Sequence, residues 1–381
     1  MDVNASTPLL GGLTPAGFMR RHWQKTPLLV RQAWPGVQPP LARGALFDLA
    51  AEAGVESRLL TAFDGHWRLR HGPFKRRALP SIKRPHWTLL VQGLDLHEPA
   101  AHEMLARFRF VPGARLDDLM LSFASDGGGV GAHLDSYDVF LLQVQGRRRW
   151  RVGRVADASL VEGRPVKVLS RFQPSDEWLL EPGDLLYLPP RWGHEGVAEG
   201  ECMTASIGFR APLATEMARE LLLRLGEDLE PWPRDSLYRD PAQPATATPG
   251  RLPDGLRDFA ARALQRALSD PAALSRALGS LLSEPKPQVW FDSGHAGQQV
   301  RGAALRLDRR SRMLYDPRHV YLNGEAFRSA GRDARLMMRL ADTGRLAASD
   351  AKRLSAGAAA LVEDWARAGW LHADESEQEG Q

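Results

Sequence analysis

The stretch between Ser122 and His194 decides the fold of this chain. Its first part reads Ser122-Phe123-Ala124-Ser125-Asp126-Gly127-Gly128-Gly129-Val130-Gly131-Ala132-His133-Leu134-Asp135. Its middle contains Gly146-Arg147-Arg148-Arg149-Trp150, and its end reads Gly183-Asp184-Leu185-Leu186-Tyr187-Leu188-Pro189-Pro190-Arg191-Trp192-Gly193-His194. Short apolar runs alternate with turn residues throughout, which is typical of successive β-strands.

Strands are predicted one after another from Leu116 onwards, with no helical pattern between them. They cover residues 116–125, 138–144, 147–152, 177–180, 184–188 and 203–209. Turn signals separate them at Gln145-Gly146, Glu181-Pro182-Gly183-Asp184 and Glu199-Gly200-Glu201. This spacing predicts an antiparallel jelly-roll barrel.

Three residues of this barrel have the types that hold a non-haem Fe(II) ion. His133 and Asp135 are two positions apart, so both side chains point to the same side of extended backbone. His194 follows Pro189-Pro190 at the end of a predicted strand. Two histidines and one carboxylate leave metal positions open for a co-substrate and dioxygen. The alternatives are a surface turn for His133 and Asp135 and a flexible turn for the glycines before them.

The basic run 147–151 allows three interpretations: nucleic-acid binding, a solvated strand, or a specific inward arginine. By strand alternation, Arg147 and Arg149 face outward when Arg148 faces the barrel interior with Trp150. A buried arginine needs an anionic partner. The distal carboxylate of 2-oxoglutarate supplies one through a charge-assisted hydrogen bond, and this interpretation is preferred.

The strand 116–125 offers further candidates on one face. Asp118, Met120 and Ser122 share that face by the two-residue period, with Ser122 a donor to the co-substrate carboxylate. Met120 either walls the pocket or simply fills the core. Asp117 can replace Asp118 as the inward acid, and either can be a solvated turn residue.

Length and composition predict a multidomain protein with no membrane span. At 381 residues the chain exceeds one typical core, and no apolar run is long enough to cross a bilayer. No basic segment followed by an apolar run marks a secretory signal. The single cysteine, Cys202, fits a reducing cytoplasm. The net charge of +4 is too small to imply nucleic-acid binding, so none is expected.

Domain boundaries are predicted at 1–211, 212–284 and 285–381. Helical patterns follow Pro212, and Ser283-Glu284-Pro285-Lys286-Pro287 has the composition of a linker. The last part contains strand ribbons and two helices, a pattern like that of a winged helix. The acidic tail from Asp374 is predicted to be disordered.

Nearly the whole chain resembles the JmjC-type bacterial ribosomal oxygenases. The resemblance is carried by His22-Trp23-Gln24-Lys25-Thr26-Pro27-Leu28-Leu29-Val30, Trp87-Thr88-Leu89-Leu90-Val91-Gln92-Gly93, Gly127 to Asp138, Gly146-Arg147-Arg148-Arg149-Trp150-Arg151-Val152-Gly153 and Pro189 to His194. It implies a double-stranded β-helix, a helical dimerisation region that makes a homodimer, and a C-terminal winged helix.

The resemblance also implies a site and an activity. His133, Asp135 and His194 become the ligands of Fe(II), and Arg148 with Ser122 becomes the 2-oxoglutarate site. The family's substrate is an arginine of a large-subunit ribosomal protein, number sixteen of its series. Beside Asp118 and Met120, candidates for its pocket are Tyr137 and Ser206. Tyr137 can equally be an exposed loop aromatic and Ser206 a small packing residue.

Three other functions remain open at this level. The target can be a histidine of another ribosomal protein. The barrel can be a metal cupin acting on a small molecule, without use of 2-oxoglutarate. A non-enzymatic sensor with a DNA-binding winged helix is the third alternative, disfavoured because a sensor needs no iron ligands.

Overall fold

The chain folds into two compact units. The computed structural model describes residues 2–64, 66–229, 232, 237–292 and 300–374. The first unit comprises Met1–Ala211 with Pro287–Trp290, and the second comprises Pro212–Lys286 with Phe291–Gln381. None of the helices in the described part of the chain combines the length and the apolar character that a membrane crossing needs.

The first unit is an antiparallel barrel with a few short helices. Its helices are α1 (Pro15–Arg21), α2 (Arg43–Leu49) and α3 (Pro99–Ala106). Its strands are β1 (Leu28–Val30), β2 (Ser57–Phe63), β3 (His66–His71), β4 (Trp87–Val91), β5 (Leu116–Ala124), β6 (His133–Leu134), β7 (Val139–Arg154), β8 (Asp176–Leu180), β9 (Leu185–Leu188) and β10 (Trp192–Phe209). They pair in the order β1-β9-β7-β10-β5-β4-β2-β3, with β6 on β10 and β8 on β7. The predicted jelly-roll fold is confirmed.

Two predicted turns prove wrong, because β7 and β10 run through them. Gln145-Gly146 lies inside β7 and Glu199-Gly200-Glu201 inside β10. The two strands remain paired on both sides, and the register shifts between Glu199 and Met203. A bulge of this kind bends a strand without ending it. Gly146 is required there, since its φ is +62° and a Cβ would lie 2.2 Å from the Glu201 carbonyl oxygen.

A buried carboxylate fixes the chain just after the His133–Asp135 segment. Asp138 accepts hydrogen bonds from the Tyr187 hydroxyl at 2.6 Å and from Gln24 Nε2 at 3.0 Å. Its carbonyl oxygen accepts from the Phe209 amide at 3.1 Å. Charge-assisted bonds to a buried carboxylate are strong, so this residue holds the end of the segment in place.

A second buried carboxylate ties the entry segment to the barrel. Asp184 accepts from the Gln32 amide at 2.9 Å, from Arg31 Nη1 at 2.6 Å and from the Glu181 amide at 3.1 Å. These bonds join the residues after β1 to the turn before β9. The β1–β9 pair extends the sheet that carries β7 and β10.

The second unit combines helices with two small sheets. Its helices are α4 (Ala214–Glu227), α5 (Asp254–Leu268), α6 (Pro271–Ser283), α7 (Gly331–Thr343), α8 (Ala348–Ala351) and α9 (Ala356–Arg367). Its strands are β11 (Leu305–Leu307), β12 (Met313–Tyr315), β13 (His319–Leu322), β14 (Glu325–Arg328), β15 (Arg345–Leu346) and β16 (Leu371–Ala373). They form the sheets β15-β11-β16 and β12-β13-β14.

Helix α6 belongs to the same body as the small sheets. The Tyr321 hydroxyl on β13 donates to the Ser275 carbonyl oxygen at 3.1 Å, and the Gly324 amide donates to Ser283 Oγ at 3.1 Å. The predicted winged helix is confirmed. The division of this unit at 284/285 stays a prediction. The predicted start of a disordered tail at Asp374 is wrong, because Asp374 is buried, its amide donates to the Ala304 carbonyl oxygen at 2.8 Å and its carboxylate pairs with Arg345. The rest of that tail, from 375 on, lies outside the described residues.

We expect Asp184→Asn to lower the free energy of unfolding of the barrel by about 2 kcal/mol, because the amide removes the buried negative charge and one of the two oxygens that accept from Arg31, Gln32 and Glu181. Seven of the eleven tryptophans lie in residues 1–211, so tryptophan fluorescence in urea reports on this unit. The matched control is Asp48→Asn, whose side chain is 76% exposed in an ion pair with Arg76. It should cost less than about 0.5 kcal/mol. Equal effects of the two substitutions would contradict this role for Asp184.

Candidate metal and co-substrate site

Strand pairing brings the predicted metal ligands together. His133 opens β6 and lies directly opposite His194 on β10. The glycines before His133 pack closely on β10: the Gly127 amide donates to the Ala198 carbonyl oxygen at 2.9 Å. A Cβ on Gly129 would lie 2.5 Å from the Gly196 carbonyl oxygen. The run is therefore a tightly packed connection that needs glycine for close backbone approach.

The three ligand atoms face one point. Asp135 Oδ1 lies 3.9 Å from His133 Nε2, and Asp135 Oδ2 lies 3.6 Å from His194 Nε2. The imidazole rings are 4.2 Å apart between centroids. Donor atoms from all three residues lie within 4.8 Å of one another, a separation that one shared cation can bridge.

Backbone carbonyls fix the tautomer of each imidazole. His133 Nδ1 lies 2.9 Å from the Gly131 carbonyl oxygen, and His194 Nδ1 lies 3.1 Å from the Trp192 carbonyl oxygen. A carbonyl oxygen only accepts, so each Nδ1 carries the proton and each Nε2 presents its lone pair to the site. This is the arrangement that orients imidazoles toward a metal.

Burial shapes the ionisation of the ligands. It lowers the pKa of His194 to about 3, with the His133 imidazole adding to the effect. His194 is therefore neutral at pH 7 and able to bind a cation. Burial also raises the pKa of Asp135, while His133 and the Tyr137 hydroxyl lower it. A bound cation stabilises the ionised form of such a carboxylate. The donor set and its geometry fit Fe(II).

Arg148 lies deep in the same barrel with an unsatisfied guanidinium. The residue is 5% exposed, and Nη1 donates to Ser122 Oγ and Thr204 Oγ1, each at 3.2 Å. Its Nε is buried without a hydrogen-bond partner. Among the described residues, no carboxylate lies within 4 Å of the guanidinium. Because a buried charge without a counter-ion is costly, the cavity is suited to an anionic ligand.

Trp150 lies between Arg148 and the metal ligands. Its ring is 5.5 Å from the Arg148 guanidinium carbon and 5.9 Å from the His194 ring. The indole Nε1 is also buried without a partner. A Cβ on Gly196 would lie 2.8 Å from the indole, so glycine at that position makes room for Trp150. The guanidinium and the metal site thus belong to one cavity.

Thr204 and Gln143 complete the Arg148 site, and the sequence analysis missed both. Thr204 Oγ1 donates to Gln143 Oε1 at 2.9 Å, which directs its lone pairs toward Arg148. Gln143 Nε2 donates to the carbonyl oxygens of Gln145 and Gly146. Thr204 precedes Ser206 by two residues on β10, so the two side chains share one face of the strand.

Two other arginines of β7 face outward and are neutralised by carboxylates. Arg149 pairs with Glu177 and Glu199, and Arg151 pairs with Glu177 and Glu195. The Glu177 pairing raises the pKa of Arg149, and the Arg149 pairing lowers that of Glu177. The run 147–151 is therefore neither an unpaired nucleic-acid surface nor a fully solvated strand. Arg148 is buried, whereas Arg149 and Arg151 form ion pairs at the surface.

Asp118 is buried on the face of β5 that carries Ser122. Its Oδ2 accepts from Gln92 Nε2 at 2.7 Å and from the Gly93 amide at 3.1 Å. Arg58 Nη2 donates to Gln92 Oε1 at 3.1 Å, so a chain of hydrogen bonds fixes the carboxylate. Asp117 instead bonds to Arg210 Nε at 3.4 Å. Neither Gln92 nor Arg58 had a role in the sequence analysis, since no local pattern marks them.

The other predicted pocket residues lie on β5, on β10 and just after Asp135. Met120 and Ser206 are directly opposite on β5 and β10. Arg58 Nη2 lies 3.8 Å from Met120 Sδ. Tyr137 is 40% exposed, and burial of its hydroxyl and the nearby Asp135 charge raise its pKa. Their binding roles remain predictions.

Family models match both units of the chain. Residues 103–217 match the model described as a JmjC domain. Residues 266–372 match the model described as a ROXA-like winged helix. The first match covers the metal ligands and Arg148.

Curated relatives and solved structures agree with these models. "Ribosomal protein uL16 3-hydroxylase" of Escherichia coli K12 is 35% identical over 331 residues, 83% of this chain and 86% of that protein. "Probable ribosomal oxygenase" of Haemophilus influenzae is 38% identical over 205 residues, 52% of this chain and 50% of that protein. The crystal structure of E. coli ycfD has a TM-score of 0.81 at 31% identity, covering 95% of this chain and 98% of that one.

A further structure bears on the co-substrate. It shows YcfD, a ribosomal oxygenase from E. coli, in complex with cobalt and 2-oxoglutarate, with a TM-score of 0.77 at 30% identity over 94% of this chain and 98% of that one. The metal-binding triad of this chain fits Fe(II), and its buried Arg148 fits a carboxylate such as that of 2-oxoglutarate. With its JmjC barrel, its metal-binding triad and its ROXA-like winged helix, the chain belongs to the JmjC ribosomal oxygenases.

Proposed function

We propose that this protein hydroxylates an arginine side chain of large-subunit ribosomal protein sixteen, with Fe(II) and 2-oxoglutarate. One observation carries the proposal: a buried Arg148 guanidinium without a carboxylate partner shares a cavity with a two-histidine, one-carboxylate triad. The printed name of the E. coli relative, a uL16 3-hydroxylase, supports the choice of ribosomal protein.

Each group of the cavity has a defined task. His133, Asp135 and His194 hold Fe(II) through Nε2 and carboxylate oxygens. Arg148 binds the distal carboxylate of 2-oxoglutarate by charge-assisted hydrogen bonds. Ser122 and Thr204 position the guanidinium, because each hydroxyl oxygen accepts from Nη1. The bound iron and co-substrate supply the oxidation of a C–H bond by dioxygen. The protein positions that bond and excludes competing reactants.

The pocket beside the metal suits a cationic side chain. Asp118 is held rigid by Gln92 and Gly93, so it offers a preorganised carboxylate to a guanidinium. Tyr137 borders the opening beside Asp135, while Met120 and Ser206 form a narrow wall between β5 and β10. A long side chain lying along this wall would bring its carbons toward the metal.

The histidine alternative has one observation in its favour. A "Bifunctional lysine-specific demethylase and histidyl-hydroxylase NO66" of Drosophila persimilis is 25% identical over 53% of this chain. A buried carboxylate in the pocket favours a permanent cation over a neutral imidazole, so arginine is preferred here. The match to a JmjC domain supports an oxygenase over the small-molecule cupin and the non-enzymatic sensor.

A homodimer and a cytoplasmic location complete the proposal. Helices α4 and α5 present apolar side chains to solvent: Leu222, Leu223, Leu264 and Leu268 are each about half exposed or more. Exposed apolar surface of this kind marks an interaction site, and a second copy of the chain would cover it. Ribosomal proteins are made in the cytoplasm, where this enzyme would meet its substrate.

We expect His133→Ala to weaken Fe(II) binding by more than about 100-fold, since losing a ligand costs more than losing an outer partner. Anaerobic calorimetric titration of the purified chain with Fe(II) measures this. The control is His66→Ala, an exposed histidine on β3. Unchanged affinity in the His133 variant, with native circular dichroism, would exclude the triad as the metal site.

We expect Arg148→Ala to raise the KM for 2-oxoglutarate by roughly 30-fold or more, the effect of losing one partner of a buried charge pair. Co-substrate consumption is followed as succinate formed. Arg147→Ala, an exposed neighbour on the same strand, should change KM by less than about twofold. If both variants retain the wild-type KM, the co-substrate carboxylate binds elsewhere.

We expect a peptide of ribosomal protein sixteen to gain one oxygen on an arginine, located by fragment mass spectrometry. Asp118→Asn should lower kcat/KM for this peptide by roughly 30-fold, because the guanidinium loses a buried counter-charge. Asp117→Asn, with the same change on the outer face, is the matched control. Hydroxylation of a peptide carrying histidine at the target position, with none of the arginine peptide, would favour the alternative.

A further inference from the structure

A compact segment of the barrel unit carries more positive charge than the whole chain. Residues 58–86 contain eight lysines and arginines and one acid, a net charge of +7. The complete chain has a net charge of +4, so all other residues together carry −3. This segment forms β2, β3 and the loop that leads to β4.

Apart from Arg58 on β2, the cations of this segment lie on β3 and on the connection from β3 to β4. Strand β3 is the last strand in the pairing order, so its outer edge has no neighbouring strand. We define the basic edge by its lysine and arginine residues: Arg68, Arg70, Lys75, Arg76, Arg77, Lys83 and Arg84. All but Arg70 are exposed.

Aromatic rings hold three of these guanidinium groups in place. Arg84 lies 3.5 Å above the Phe63 ring, Arg76 4.8 Å above Phe47, and Arg70 5.3 Å above Phe74. Arg70 Nη2 also donates to the Ala78 carbonyl oxygen at 3.0 Å. Stacking of this kind preorganises a guanidinium while leaving N–H donors available to a ligand.

Most of the basic edge lacks a counter-ion within the protein. Arg76 has an exposed pairing with Asp48 at 3.5 Å. In the described part of the chain, no ion pair is formed by Arg68, Arg70, Lys75, Arg77, Lys83 or Arg84. Arg149 and Arg151 of β7 are different, because Glu177, Glu195 and Glu199 neutralise them. A surface that leaves its cations unpaired is open to an anionic polymer.

The basic edge adjoins the segment that carries the metal ligands. Trp67 on β3 packs beside Gly131, where a Cβ would lie 3.2 Å from its ring. Gly131 is two residues before His133, and its carbonyl oxygen accepts from that imidazole. Arg164 adds a guanidinium 5.2 Å over the Trp67 ring. A macromolecule bound at the edge would therefore lie beside the cavity without entering it.

We propose that the basic edge binds the phosphate backbone of RNA. Exposed guanidinium and ammonium groups on a strand and its following loop are the donors that bind phosphate oxygens of nucleic acids. The choice of RNA over another polyanion rests on the proposed function, because a ribosomal protein is presented on or near ribosomal RNA. RNA binding at the edge would hold such a substrate close to the metal cavity.

The test measures binding of a short fluorescein-labelled RNA duplex to the full-length chain by anisotropy. The wild type should bind with an affinity that falls steeply as salt rises. The triple variant Arg68→Glu, Lys75→Glu, Arg77→Glu should bind at least tenfold more weakly. It should also reduce the slope of log affinity against log salt by roughly 2 to 3, as expected for about one unit per lost phosphate contact.

The matched control makes the same charge change on the winged helix. Arg328→Glu, Arg332→Glu and Arg335→Glu alter three exposed arginines of the second unit and should leave RNA affinity within about threefold. The proposal would be overturned by equal losses of RNA affinity in both triple variants, or by no RNA binding to the wild type. It would also be overturned if polyglutamate displaced the labelled RNA as well as unlabelled RNA does.

Hydroxylation of the free peptide is assayed in parallel and should be unchanged in the basic-edge variant. If the wild type failed to hydroxylate the peptide, that result would count against the proposed function alone, since the RNA measurement does not depend on turnover.

Discussion

The pairing of β7 with β10 determines where each polar group of the cavity lies. In this register Arg148 is opposite Ala198, Gln143 is opposite Thr204 and Val152 is opposite His194. A slip of one residue would turn Arg148 toward solvent and Arg149 into the barrel, because side chains alternate along a strand. The outer ion pairs of Arg149 with Glu177 and Glu199 oppose such a slip. The solvent-facing arginines therefore stabilise the register that buries their neighbour.

Residue spacing predicts the parts of the site that depend on local backbone. His133 and Asp135 share a face because they are two apart, and Arg148 is separated from its neighbours by the same rule. The contributions of Gln92 and Gln143 could not be predicted in this way, since each acts through a residue distant in sequence. The turns predicted at Gly146 and Gly200 failed for a related reason. A glycine with positive φ can end a strand or can form a bulge within it. Which of these occurs depends on whether the neighbouring strand continues to pair beyond the glycine.

Average composition also concealed the charge distribution. A net charge of +4 gave no reason to expect nucleic-acid binding, yet residues 58–86 carry +7 and the remainder −3. The basic run that first attracts notice, 147–151, is largely neutralised across β7, β8 and β10. The segment with few internal partners lies at the edge of the sheet, where no neighbouring strand supplies carboxylates. The order of strands in the sheet determines which basic residues have carboxylate partners, and the sequence does not show this order directly.

Arg148 and Asp118, inside the barrel, favour ligands of opposite charge at different positions. Arg148 attracts an anion to one side of the metal ligands, while Asp118, held by Gln92 and Gly93, attracts a cation to another. Under the proposed function, a dicarboxylate and an arginine side chain would bind at separate places, because each would be repelled from the other's position. Because both charges are buried, each interaction is stronger than the same pair would be in water. Under the proposed function, this charge separation would let co-substrate and substrate approach a single metal without competing for one position.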